Sequence, residues 1–283
     1  TLSFTASIAS SSLLNSFSVG AIDNAPQDIV FNNDGTKMFI IGTQTREVHE
    51  YVLSIDFDIS TAVYSQNFSV SSQTSSGHGV RFNTDGTKMF ITEFNNQSVL
   101  EYTLSIGFNI STAVYSQSFS ASAQVTTMRN LSFNNDGTLL LLADLGGDKI
   151  VSYNLSIGFD ISTAVYSQSF SVNSQEAQVI GVALNANQSK IYIIGNVSDT
   201  VYSYLTGSSL QLGTGSFASA DVGKTIEANS GAFVLTATDG SYVETTAPTS
   251  YAQVASGSWE MYGVVYNAAD GDLELSNYVK NAP

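Results

Sequence analysis

Apolar positions along this chain come in short alternating runs, never at helical spacing. Ile29-Val30-Phe31 is followed by Asn32-Asn33-Asp34-Gly35, and then by Lys37-Met38-Phe39-Ile40-Ile41. An Asn-Asp-Gly stretch between two apolar runs is the strongest short-range signal for a tight β-hairpin. A third run, Val48 to Leu53, alternates in character. After a polar stretch from Ser54 to Thr61 comes a fourth, Val63 to Val70, in which Tyr64, Phe68 and Val70 alternate with Ser and Gln. A period of two gives each run one face for a core. The pattern predicts four short antiparallel strands and no helix.

The whole pattern then repeats every 51 residues. Phe31 to Ile40 returns as Phe82 to Ile91, again as Phe133 to Leu142, and in weaker form as Leu184 to Ile193. A second motif, Phe57-Asp58-Ile59-Ser60-Thr61-Ala62-Val63-Tyr64, recurs from Phe108 and from Phe159. Two independent motifs sharing one period define a repeat unit. A four-stranded antiparallel unit of this length is a β-propeller blade. The predicted fold is therefore all-β, a four-bladed β-propeller over residues 1–206. Residues 12–19 fall in the phase of a fourth strand with no blade ahead of it, while the last unit, Val179 to Leu205, has only three strands. The expectation is that the N-terminal strand closes the last blade and seals the ring, removing exposed sheet edges. The alternatives are a ring of more blades shared between subunits, or a fragment of a longer chain.

From residue 207 to 283 the repeat is gone but the strand pattern persists. Phe233 to Thr236, Tyr242 to Thr246, Trp259 to Tyr266 and Leu273 to Leu275 are spaced by Asp239-Gly240 and Asp270-Gly271 turns. This predicts a small all-β C-terminal domain, which needs packing on the propeller or on sister subunits to be stable.

Composition narrows the partners. The net charge of −15, from 9 basic and 24 acidic residues, argues against binding a phosphate backbone, so no nucleic acid is expected. No apolar run approaches the ~20 residues of a spanning helix, so no membrane insertion is expected. With no cysteine and two histidines, thiolate and multi-histidine metal sites are excluded. Calcium remains open through the Asp56/Asp58 and Asp270/Asp272 pairs, though neither extends to a full calcium loop. No other cofactor is indicated.

The run Leu155-Ser156-Ile157-Gly158-Phe159-Asp160-Ile161-Ser162-Thr163-Ala164, with Tyr166 and Ser169-Phe170-Ser171-Val172, resembles repeats of marine viral and bacterial proteins. The Phe-Asn-Asn-Asp-Gly-Thr-Lys-Met-Phe motif is similar to that of lactonase-like and surface-layer propellers. Ala220 to Lys224 and Ser256 to Trp259 resemble modules of phage tail fibres. The resemblance implies a virion appendage, a tail fibre or spike located on a virion or extracellular surface. It would bind a host cell-surface glycan or protein, contact other virion proteins, and form a homo-oligomer such as a trimer.

Candidate site residues come from loops at one end of the blades, where a rigid scaffold concentrates function. At equivalent repeat positions stand Gln27-Asp28, His78-Gly79, Arg129-Asn130 and Ile180-Gly181, which place His78 and Arg129 near the central channel. A second loop set, including Glu93, Phe94, Asn95 and Asp144, is suited to hydrogen-bonding sugars, with Phe94 stacking on a ring. The bland alternative is that all these residues satisfy loop backbone. His49 reads as a packed strand residue, and Asp34, Asp85 and Asp136 as turn formers. No catalytic constellation is recognisable, so the expectation is not an enzyme. The alternatives are a lactonase-like or glycan-cleaving propeller, and a surface-layer or filament protein.

Overall fold

The computed structural model describes residues 13–185, 188 and 190–206, and the backbone of short strands at 209–211, 225–228, 231–238, 242–245, 265–267 and 272–274. The protein is an all-β, four-bladed β-propeller. The first blade is ordered β1 (Pro26–Phe31), β2 (Lys37–Gly42), β3 (Glu47–Leu53), β4 (Ala62–Ser69). The second is β5 (Gly77–Phe82), β6 (Lys88–Glu93), β7 (Ser98–Leu104), β8 (Ala113–Ser120). The third is β9 (Met128–Phe133), β10 (Leu139–Asp144), β11 (Lys149–Leu155), β12 (Ala164–Ser171). The fourth has three strands, β13 (Val179–Leu184), β14 (Lys190–Gly195) and β15 (Val201–Leu205). The second and third strands of the three complete blades are almost wholly buried, while the fourth strands expose most of their residues.

The Asn-Asp-Gly signal makes the first hairpin of each blade. The Asp34 carboxylate accepts from the Thr36 backbone N–H (3.0 Å) and hydroxyl (2.6 Å), and the Asn32 amide oxygen accepts from Lys37 N–H. Asp85 and Asp136 repeat this bond for bond, so all three are turn residues. Gly35 has φ of +73° and is covered by the Phe57 ring, which a Cβ would meet at 2.3 Å. Phe57 itself sits at φ +59°, a left-handed conformation costing roughly 1–2 kcal/mol, held by its N–H on the Gly35 carbonyl. The loop then forms one 3₁₀ turn, Ile59–Thr61, capped by Asp58.

Core residues recur with the repeat. Tyr51, Tyr102 and Tyr153 are buried on the third strands, with Phe39 and Phe90 beside them on the second. Clusters form between successive blades: Ile41 and Val48 of the first pack with Val80, Ile91 and Tyr102 of the second.

Residues 13–19 take the place of a fourth strand against the first blade. Phe17 meets Tyr51 edge-on at 5.4 Å, as Phe68 meets Tyr102 at 5.4 Å and Phe119 meets Tyr153 at 5.0 Å. Asn15 donates to Asp58 at 2.9 Å, as Gln66 does to Asn109 at 3.0 Å. The Val19 carbonyl accepts from Ile22 and Asp23, as that of Val70 does from Gln73 and Thr74. The expected closure is not present, however. Residues 13–19 form no ladder, and the last blade keeps three strands. Ile29 on β1 is 50% exposed, whereas Val80, Leu131 and Val182 at the same repeat position are buried.

Beyond the propeller, β16 (Ser209–Gln211), β17 (Thr225–Ala228), β18 (Gly231–Thr238) and β19 (Tyr242–Thr245) form a sheet ordered β16-β19-β18-β17. β20 (Val265–Asn267) pairs with β21 (Asp272–Glu274). The strands expected at 233–236, 242–246 and 273–275 fall on β18, β19 and β21. Residues 259–264 and both Asp-Gly turns lie outside the described residues.

Candidate functional site

The second residue of each inner strand is Gln27, His78, Arg129 or Ile180. With Asn130 and Asn196 these four line one open cavity of about 140 Å³. The repeat therefore delivers four different side chains to one place.

Arg129 donates from Nη1 to His78 Nδ1 at 2.8 Å. A guanidinium has no acceptor, so Nδ1 is the unprotonated ring nitrogen. Nε2 then carries the proton and donates to the Ser76 hydroxyl at 3.0 Å. The imidazole stacks on Phe94 (4.9 Å, 26°), and the Arg129 guanidinium lies 4.8 Å from the centre of the same ring. That geometry is a cation–π contact. Burial, helped by the Arg129 charge, lowers the His78 pKa to about 4, so the ring is neutral at neutral pH. Burial also lowers the Arg129 pKa, and its Nε is buried without a partner. The result is a neutral imidazole and an under-satisfied cation facing one cavity.

A second chain of bonds ties three blades behind this pair. Asp28 accepts from Arg81 Nη1 and from the Val80 N–H, and Arg81 Nη2 donates to the Asn130 amide oxygen at 2.9 Å. Asn130 is thereby oriented, and Asp28 is occupied by a cation rather than offered to the cavity. Sequence reasoning passed over Arg81. The signal was available: the equivalent positions are Val30, Ser132 and Ala183, so only the second blade carries a charge there.

Glu93 and Asp144 are both committed to hydrogen bonds within their own loops. Glu93 is buried and accepts from Asn95 N–H, Asn96 N–H and the Thr74 hydroxyl. Asp144 accepts from the N–H groups of Thr126 and Thr127 and the Thr126 hydroxyl, with Lys149 at 3.7 Å. Both carboxylates knit two loops of their own blade. The other blades solve the same problem from the opposite loop. There the positions matching Glu93 and Asp144 are Gly42 and Gly195, and a Cβ on either would lie 2.1–2.2 Å from the carboxyl group of Asp23 or Glu176. Asp23 accepts from Thr45 and Ala25, and Glu176 from Gln178, Val197 and Ser198. Burial alone would raise both pKa values, but these hydrogen bonds together hold them below the usual range.

Gln27 is exposed at the cavity edge, and its amide donates to the Ala25 carbonyl. Asn95 is exposed, its amide on the Ser75 hydroxyl. Phe94 stacks with His78 and has the Arg129 guanidinium over its ring. His49 is a packed strand residue, 2.9 Å from the Thr45 hydroxyl. Asp58 is committed to its 3₁₀ cap and to Asn15. Asp270 lies outside the described residues, among which no three His, Asp or Glu side chains converge as a metal site.

No protein-family model matches the chain, and no curated protein matches it. Among solved structures it is similar to a Bacteroides uniformis protein provisionally assigned as a 6-phosphogluconolactonase, at 13% identity and a TM-score of 0.48, covering 64% of this chain and 50% of that one. It is similar to the periplasmic gluconolactonase PpgL of Pseudomonas aeruginosa at 14% identity and a TM-score of 0.44, covering 64% and 49%. The β-propeller domain of Myceliophteria thermophila Cps50 (Swd1) gives 7% identity and a TM-score of 0.45, covering 64% and 53%. The chain thus spans about half the length of these proteins. The exclusion of enzymatic activity drawn from the sequence is withdrawn. The cavity holds a neutral imidazole beside a guanidinium, a pairing that the scattered sequence positions did not reveal.

Proposed function

We propose that the channel mouth is a lactonase-like hydrolytic site for a small, hydroxylated sugar-acid lactone. The observation that carries this reading is the His78–Arg129 bond inside the shared cavity. Arg129 holds the Nδ1 lone pair, and burial, with the Arg129 charge adding to it, depresses the basicity of the ring. The lactone carbonyl oxygen accepts a hydrogen bond from the guanidinium and draws it away from the imidazole. That frees Nδ1 and relieves the part of its pKa depression that the Arg129 charge adds to burial. His78 then accepts a proton from water as the water oxygen attacks the lactone carbonyl carbon. Arg129 stabilises the oxyanion, the ring C–O bond breaks, and the proton passes from His78 to the departing alkoxide. Asn130, held by Arg81, and Gln27 supply amides for substrate hydroxyls.

The test is proton release from glucono-δ-lactone and its 6-phosphate, above the spontaneous rate, by the intact chain and by His78→Gln. A rate above background that is lost in His78→Gln supports the proposal. A rate equal to the blank, or one unchanged in His78→Gln, rejects it.

A second reading, recognition of a neutral surface glycan by a virion or cell-surface appendage, draws on a separate groove on the second blade. It measures about 340 Å³ and is lined by Gln73, Asn96, Ser98, Tyr115 and Ser118 among others. Hydroxyls, amides and one tyrosine suit neutral sugars. Glycan-array binding that Tyr115→Ala abolishes would favour it, and an array with no signal would count against it.

A further inference from the structure

The first and last blades end on complementary features. At the first end, residues 13–19 hold a fourth-strand position with no third strand beside them, and Ile29 is half exposed. At the last end, β15 closes its sheet with an open edge. Val201 there is 48% exposed, whereas Val48, Val99 and Ile150 at the same repeat position are buried. Ile194 is 44% exposed, whereas Ile41 and Ala143 are buried. Among the described residues after β15, the next strand, β16, pairs with β19 in another sheet. Each end therefore shows core-type residues to solvent and lacks what the other end carries.

We infer that a second copy of this chain closes the gap on both sides. Residues 13–19 of each protomer add as the fourth strand to β15 of its partner, making a two-chain ring of eight blades. Within one chain residues 13–19 form no ladder with β15, and a second copy supplies the complementary end to each. An edge-to-end contact is heterologous, and two such contacts related by a twofold axis close without leaving an edge.

The repeat sets the register. β11 and β12 pair Ile150 with Phe170, Ser152 with Gln168 and Tyr153 with Tyr166. One repeat beyond β11 and three before β12, those pairs become Val201 with Phe17, Ser203 with Asn15 and Tyr204 with Leu13. Phe17 keeps its contact with Tyr51 and gains Val201 as ladder neighbour. Phe68 already has both kinds of partner, in Tyr102 and Val48.

The chain has no cysteine, so introduced thiols report alone. Asn15→Cys and Ser203→Cys are made on separate chains, mixed and oxidised. Directly opposed residues have Cα atoms about 4.5–5.5 Å apart, within disulfide reach. Ser152→Cys with Gln168→Cys, one ladder over, is the folding control and cross-links within one chain. The expected result is a disulfide-linked pair in the mixture, absent from either variant alone, and a native mass of twice 30.0 kDa for the unaltered protein. Cross-linking within one chain in a variant carrying both Asn15→Cys and Ser203→Cys overturns the inference in favour of single-chain closure. A closed control with no cross-link in the mixture, or a one-chain native mass, overturns it outright.

Discussion

Lys88 and Glu101 pose a sharp energetic question. Lys88 on β6 lies 3.0 Å from Glu101 on β7 and donates to the Phe159 carbonyl of the next blade at 2.7 Å. The other Glu101 oxygen accepts from Gln117, which also donates to Asp160 across the blade boundary. Lys37, Glu50, Gln66 and Asn109 repeat the arrangement one blade earlier. In the third blade the same two positions are Leu139 and Ser152, so cation and anion are absent together. Glu101 is buried, with Lys88 a quarter exposed. Lys88→Leu therefore leaves a buried carboxylate unpaired, which costs about 3–5 kcal/mol. Lys88→Leu with Glu101→Ser installs the pair the third blade already uses, and exchanging a whole buried pair for neutral groups costs ~1 kcal/mol or less. For a domain of this size each kcal/mol moves the melting temperature by roughly 2–4 °C. Thermal melts followed by circular dichroism should show the single variant roughly 6–20 °C below the parent, with the double recovering most of that loss. If the two variants melt together, or the double melts lower, uncompensated burial is not what retains this pair.

The carboxylate exchange gives a second prediction: Gly42→Ala drives a methyl into the Asp23 carboxyl and costs about 1–3 kcal/mol, while Gly42→Glu with Asp23→Thr, the second blade's pairing, recovers stability in urea titrations. A third concerns pH. The His78 pKa is depressed from 6.5 to about 4, so the unfolded state binds the extra proton; stability is full above about 6.5 and falls between there and about 4, by on the order of 3 kcal/mol. His49, also lowered by burial, adds to the same window, and His78→Gln should flatten the slope in part; an unchanged slope would refute the assignment. A fourth follows from Asp34, Asp85 and Asp136, whose pKa values are lowered by their Thr36, Thr87 and Thr138 hydrogen bonds. Their contribution is present above about 4 and is lost as pH falls through the folded values, so Asp85→Asn should narrow the acid-unfolding difference seen by circular dichroism.

The blade was legible because its signals are local. Alternation, an Asn-Asp-Gly turn and a fixed period place β1 to β4 without any long-range information, and the phase of residues 13–19 was legible for the same reason. What was not legible is whether that strand meets β15, because no local feature encodes how far an arc of four blades turns. The site divided along the same line. Positions 27, 78, 129 and 180 converge because the repeat phase requires it. The roles of Glu93 and Asp144 were hidden because a carboxylate in a polar loop looks alike whether it faces solvent or accepts three backbone and hydroxyl protons from a neighbouring loop.

The four blades act as one another's controls, and that comparison separates scaffold from chemistry. Each blade carries one buried carboxylate bridging its two end loops, supplied by Glu93 and Asp144 from one strand end or by Asp23 and Glu176 from the opposite turn. A requirement met four times by two routes belongs to the blade. The His78–Arg129–Phe94 cluster occurs once. The positions matching His78 hold Gln27, Arg129 and Ile180, and the first and fourth blades fold with neither imidazole nor guanidinium there. The blade fold therefore does not require this pair, which buries an imidazole that must stay neutral and a cation left short of one acceptor. Costs of that kind persist where a ligand recovers them, and the cavity these two residues share is where that ligand is to be sought.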